Sequence, residues 1–138
     1  SYENDFGEYD ESYVTSVFNY ANQFSNIHIT GHVNNVREYY QVSDFIISNS
    51  TNEGLSNSLL EGVFCGLIPI IMNYKAQYIP NIIKKIGLTI EPTLPNQLIC
   101  KKIEKLIFNN HSKFDLNDIY NEYSIENVTN QLLNIYKM

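Results

Sequence analysis

Short apolar runs alternate with amphipathic stretches along this chain, and the pattern predicts strands that alternate with helices. Residues 44–48, 69–72 and 87–90 are apolar runs of strand length, and residues 27–30 form a fourth, shorter one. The run at 44–48 is mostly apolar, which predicts burial on both faces. Strands that alternate with helices favour parallel β-α units. We therefore predict an α/β fold, a Rossmann-like parallel sheet with flanking helices.

Capping residues and apolar spacing predict the helices between these strands. Residues 1–9 are polar and acidic, and we expect them to be disordered. The predicted helices run from Asp10 to Phe24, from Asn34 or Asn35 through Tyr40, from Ser56 or Asn57 to Gly66, from Gln77 to Ile86 with a break near Pro80, from Pro95 through Ile107, and from Ser124 through Tyr136.

The composition argues against several classes of function. The 138 residues amount to one domain, and the formal charge of −6 argues against binding nucleic acid through a basic face. Two cysteines and three histidines are scattered without the spacing of a zinc site, so we expect no metal. The chain has no apolar run near the roughly 18 residues that a membrane-spanning helix requires.

The segment from Glu53 to Glu61 contains the candidate residues for ligand binding. Glu53 precedes the predicted helix, and Glu61 lies about 7.5 Å along its axis from Ser56. The first amides of the helix, at residues 55–58, would lie between the two carboxylates and favour an anion. Acid, amides and acid in this order suit a sugar nucleotide, which has hydroxyls on both sides of its phosphates. The alternative is that Glu53 is a solvated loop acid and Glu61 a surface acid.

The run from residue 50 to residue 70 closely resembles the signature of retaining GT-B glycosyltransferases with an E-x7-E motif, the group 1 or family 4 transferases. Residues 29–33, 40–44, 87–92 and 124–136 resemble segments that flank this motif in the family. The resemblance covers about residues 27–138. It implies that residues 1–138 are a partial C-terminal donor-nucleotide-binding domain, the incomplete C-terminal half of such an enzyme.

The resemblance also implies a role for each site residue. Glu53 would be the catalytic-site acid that contacts hydroxyls of the transferred sugar, and Glu61 would accept hydrogen bonds from the ribose. Gly54 would let the backbone approach the ligand closely. Leu55, Ser56 and Asn57 would present backbone amides to the sugar or the diphosphate, and Ser58 would continue this donor-binding helix start. Backbone groups of Gly31, His32 and Val33 would lie near the base. The chain departs from the family at Gly62, where Ala is usual, and at Ser56, where Gly or Pro is common.

The family's remaining parts define the expected partners. In the family, a basic pair stabilises the departing diphosphate, and we find no counterpart of it before Tyr13. The resemblance also implies that the acceptor-binding N-terminal domain lies outside these residues. We therefore expect a nucleotide sugar as donor, a glycan or lipid-linked acceptor bound through the missing domain, no metal or other cofactor, and no transfer by this chain alone. The expected location is cytoplasmic, with contact to the inner membrane surface through the missing part.

In the family that the chain resembles, two further strands begin this domain, and we find no counterpart for them before Tyr13. We therefore expect the predicted sheet to have an open edge. The strand at residues 27–30 either pairs beside residues 44–48 or leaves an edge that recruits another chain, and we expect a homo-oligomer. Two other functions stay open, a GT-B-fold sugar-nucleotide epimerase and a non-enzymatic doubly wound interaction module.

Overall fold

The computed structural model describes residues 11–51, 56–74, 79–109 and 115–136. It has two compact units, Ser1–Asn34 and Asn35–Met138. The described elements are, in chain order, α1 (Glu11–Ala21), α2 (Val36–Val42), β1 (Phe45–Ser48), α3 (Asn57–Phe64), β2 (Ile68–Met72), α4 (Asn81–Ile86), β3 (Leu88–Ile90), α5 (Asn96–Phe108), α6 (Leu116–Tyr123) and α7 (Ile125–Tyr136).

The first unit contains α1 and an extended segment that forms no strand. Helix α1 begins next to the predicted cap and ends three residues before Phe24. The strand predicted at residues 27–30 is wrong, because these residues carry no strand structure and the described sheet has three other strands. A strand requires a neighbour for its backbone N–H and C=O groups. Ile27 and Ile29 have strand-like spacing, but their side chains are 43% and 42% exposed.

The second unit is built on a parallel sheet with the order β1-β2-β3. The α/β prediction with a parallel sheet and flanking helices is confirmed. Strand β2 lies in the centre, and its three middle residues are buried. The prediction that residues 44–48 are buried on both faces is wrong, since Ile47 in β1 is 65% exposed. Strand β1 is an edge strand, so β2 is its one described neighbour.

Helix α3 begins and ends as its sequence predicts. Ser56 is the N-cap, and its hydroxyl accepts a hydrogen bond of 3.4 Å from the backbone N–H of Leu59. At the other end, Gly66 has a φ of 92°, a left-handed conformation that favours glycine. The N–H of Gly66 donates to the carbonyl of Val63, and the N–H of Leu67 donates to the carbonyl of Gly62. This pair of bonds is a Schellman motif, which returns the chain into β2.

One core holds the helices α3, α4 and α6 on the same face of the sheet. Its buried residues are Leu59, Val63, Ile71, Ile79, Ile83 and Ile119. Gly62 lies against β1, and a Cβ at this position would lie 2.6 Å from Cδ1 of Ile46. The absence of a side chain at Gly62 therefore permits the close approach of α3 to β1.

Sequence reasoning missed helix α6. Its signals were present, since Asp115 is an N-cap whose carboxylate accepts from the N–H of Asn117 at 2.8 Å. Apolar residues follow at helical spacing, and Ile119 is fully buried in the core. The other helices in the second unit match their predictions within a few residues; the predicted start of α4 at residues 77–78 falls outside the described residues.

Candidate functional site

A cleft of about 210 Å³ opens where β1 ends and α3 begins. It is lined by Ile46, Ile47, Ser48, Asn49, Ser50, Ser56, Ser58 and Leu59. Ligands in open α/β sheets bind outside the carboxyl ends of the strands, where a loop feeds the next helix. The fold therefore places a cleft where sequence analysis predicted a ligand, and at the start of the predicted helix.

Two serines form the polar wall of this cleft on the α3 side. The Ser56 side chain is buried, with 7% of its surface exposed, and its hydroxyl lies 3.0 Å from the hydroxyl of Ser58 in a shared hydrogen bond. The amides of Asn57 and Ser58 stand in the first turn of α3, where no carbonyl of the same helix can accept from them. The positive end of the helix dipole therefore points toward this end of the cleft.

Tyr40 contacts the side of α3 that carries Ser58 and Glu61. Its hydroxyl donates to the carbonyl of Ser58 at 3.3 Å. Burial raises the pKa of Tyr40 above its usual value of 10.0, and the negative charges of Glu61 and then Cys65 raise that pKa further. Glu61 is exposed and lies about one helical turn beyond Ser58. Sequence analysis did not single out Tyr40 as a site residue.

Polar side chains also connect the strand ends along the carboxyl edge of the sheet. The Tyr74 hydroxyl donates to Oδ1 of Asn49 at 3.0 Å, which joins the chain after β2 to the chain after β1. The Asn73 amide donates to Glu91 at 2.7 Å, which joins the ends of β2 and β3. Sequence reasoning missed these four residues. Each lies in the first two positions after a strand, and that location could have indicated them.

The remaining predicted site residues fall in two other places. Glu53, Gly54 and Leu55 lie outside the described residues, so their predicted roles stay predictions. Gly31, His32 and Val33 belong to the first unit, whereas the cleft and Glu61 belong to the second. Gly31 has a φ of 64°, which agrees with a tight turn at that position.

Within residues 11–51, 56–74, 79–109 and 115–136, no group of three or more His, Cys, Asp or Glu side chains is arranged to hold a metal ion. None of the helices in the same ranges is both long and apolar enough to span a membrane.

The parallel α/β fold, with helices on its sheet, is that of a partial Rossmann-like domain. Residues 6–109 match the family model of the Glycosyl transferases group 1. The match covers most of the chain, so the chain belongs to this glycosyltransferase family. The matched segment begins earlier than residue 27, where the resemblance seen in the sequence begins, and it ends before α6. No curated protein matches the chain, and no solved structure does.

Proposed function

We propose that this chain binds a nucleotide-sugar donor in the cleft between β1 and α3, as part of an enzyme that transfers the sugar with retention of configuration. The observation that carries the proposal is the position of the cleft in a chain of the Glycosyl transferases group 1 family. The same position is the general ligand site of open parallel sheets.

The first turn of α3 is suited to the diphosphate of such a donor. Its amides and its dipole favour negative charge, and the hydroxyls of Ser56 and Ser58 add polar contacts beside them. Glu61 lies on the same side of the helix, one turn further along, where a carboxylate can accept hydrogen bonds from ribose hydroxyls. Glu53 is proposed to do the same for hydroxyls of the transferred sugar. This arrangement uses both acids as hydrogen-bond acceptors and leaves neither as a proton donor.

We further propose that the chain binds the donor but does not transfer the sugar by itself. The departing diphosphate gains negative charge, and positive groups that stabilise this charge supply a large part of such catalysis. The described residues that line the cleft carry no positive side chain. The residues that bind the acceptor, a glycan or a lipid-linked molecule, would lie in other parts of a complete enzyme. The positive groups would lie there as well.

Thermal-shift measurements with a panel of nucleotide sugars test the proposal. A ligand that binds only the folded state stabilises it by about 2.7 kcal/mol at a hundredfold excess over Kd. We expect one or more nucleotide sugars to raise Tm, and Glu61→Gln to weaken that binding roughly tenfold, because a hydrogen bond to a charged group contributes about 1.5–3 kcal/mol.

Glu104→Gln is the matched control, since Glu104 is also an exposed helical acid but lies on α5, away from the cleft lining. It should leave donor binding unchanged. The proposal is wrong if no nucleotide sugar stabilises the protein, or if both substitutions reduce binding equally. The epimerase and the interaction module gain no specific support from the cleft or from the family match.

A further inference from the structure

Helix α5 carries a face on which lysines and exposed apolar side chains are mixed. Leu98, Lys101, Lys102, Lys105 and Phe108 recur every three or four residues, so they share one side of the helix. All five are exposed, Phe108 by 81% and Leu98 by 46%. We call these five residues the basic face of α5.

The rest of α5 explains why this face points away from the sheet. Ile99, Ile103 and Leu106 are the half-buried residues of the helix, and α5 packs against β3. At 3.6 residues per turn, these three side chains are rotated about 80–160° around the helix from Leu98 and Lys105, so they lie on a different side of it. The fold therefore leaves the basic face exposed to solvent.

The charge of α5 is opposite to that of the molecule. Three lysines against one glutamate give this helix a formal charge of +2, in a protein with a formal charge of −6. No ion pair joins the three lysines to another residue in the described part of the chain. The helix therefore concentrates positive charge that no ion pair among the described side chains compensates.

We propose that the basic face of α5 docks on an anionic lipid surface. Lysine ammonium groups would contact lipid phosphates, while Leu98 and Phe108 would enter the interface from the two ends of the same face. These two apolar residues are ten positions apart, about 15 Å along the helix, so α5 would lie flat on the membrane. Lysine stems can rest on apolar surface while their charged ends stay at the headgroups.

The apolar residues favour a membrane over an acidic protein as the partner. Helices that lie in the interface combine a basic face with Leu or Phe side chains, and both their apolar area and their charge contribute to binding. Phe108 is among the most exposed large apolar side chains in the described structure. An acidic partner would explain the lysines but would not require this phenylalanine.

The lysines set the expected strength of the interaction. A lysine near an anionic membrane contributes about a fivefold change in partitioning at ordinary ionic strength. Three of them together are expected to change it about a hundredfold, if their contributions add. The rest of the molecule is negatively charged, so an anionic membrane would repel its other surfaces. This repulsion would turn α5 toward the lipid.

Co-sedimentation with lipid vesicles tests this proposal. We expect the protein to bind vesicles of equal parts phosphatidylcholine and phosphatidylglycerol, and to leave phosphatidylcholine vesicles unbound. Replacing Lys101, Lys102 and Lys105 together by Gln should weaken binding about a hundredfold, and added salt should do so progressively. Phe108→Ala should weaken it severalfold with all charges kept.

The matched control replaces Lys84 and Lys85 by Gln, because both are exposed lysines at the end of α4, outside the basic face. This variant should bind nearly as well as the unmodified protein. Circular dichroism should show that every variant is folded. The proposal is overturned if anionic vesicles are not bound, if the α4 control loses as much binding as the α5 variant, or if Phe108→Ala has no effect. Binding to polyglutamate but not to vesicles would also overturn it, and would assign the face to an acidic protein.

Discussion

Gly87→Ala should destabilise the second unit, because the junction between α4 and β3 has no room for a side chain. A Cβ at Gly87 would overlap the carbonyl oxygen of Pro69 and would lie 2.5 Å and 3.0 Å from Cγ and Cδ of the same residue. Favourable contacts between carbon atoms begin near 3.5 Å. The obstructing carbonyl belongs to β2, the central strand, so relief requires a shift of the backbone.

The expected magnitude follows from two opposing terms. Overpacking costs about 1–3 kcal/mol, and a backbone obstacle points to the upper end of that range. Alanine is compatible with the Gly87 φ of −129°, and it stabilises by about 0.4–1 kcal/mol through the unfolded chain. The free energy of unfolding should therefore fall by about 2 kcal/mol in urea titrations. Tm should fall by roughly 8 °C in a domain of this size.

Gly62→Ala is the matched control, since its new Cβ would meet a movable side-chain end. The nearest atom is Cδ1 of Ile46 at 2.6 Å, and the next two atoms lie at 3.4 Å. A rotation of Ile46 costs some packing, while alanine gains about 0.8–1 kcal/mol of helix propensity. The free energy of unfolding should change by less than about 1 kcal/mol. The steric reasoning is wrong if Gly87→Ala is as stable as the unmodified protein. It is also wrong if Gly62→Ala has a lower free energy of unfolding than Gly87→Ala.

Four further predictions follow from single contacts. Ser56→Ala should lower stability by about 1 kcal/mol in urea unfolding through loss of the α3 cap, whereas Ser56→Asp should retain most of it. Thr89→Val should raise stability by about 1 kcal/mol, because the Thr89 hydroxyl is buried without a hydrogen-bond partner among the described residues; an unchanged Tm would contradict this. The raised pKa of Tyr40 means that its contribution to stability is complete below pH 10.0 and is lost as the pH rises above that value. Tyr40→Phe should reduce that alkaline loss of stability. Glu61→Gln should lower the pKa of Tyr40 in a tyrosinate titration. If neither substitution has its effect, the charge of Glu61 does not act on Tyr40. Ile47→Lys should reduce self-association in light scattering if the β1 edge recruits another chain, and a monomer at high concentration would refute the oligomer prediction.

Local signals in the sequence were sufficient for most elements of the second unit. Ser56 and Gly66 marked both ends of α3, because a hydroxyl at the N-cap and a left-handed glycine act within a few residues of the chain. Helix α6 was not predicted, although the Asp115 cap and the apolar spacing that follows it are both local helix signals. The strand at residues 27–30 was predicted from spacing alone, and spacing cannot supply a partner strand.

The candidate site was only partly predictable. The position of the cleft followed from the order of strand, loop and helix, because parallel sheets bind ligands at strand ends. Its polar rim required the fold, since Asn49 and Tyr74 are 25 residues apart in the chain. The contact of Tyr40 with α3 also depends on how α2 packs, which helical periodicity does not specify.

The sequence by itself determined the class of fold, the helix caps and the membership of the glycosyltransferase family, because these depend on neighbouring residues and on one continuous motif. Tertiary structure decided which strand is central and which is exposed. It also decided which side chains surround the cleft, and how closely α3 approaches β1 at Gly62. These features depend on distances between segments far apart in the chain. The two glutamates remain the proposed acceptors for ligand hydroxyls, and the fold adds Tyr40, whose hydroxyl contacts α3 at the carbonyl of Ser58.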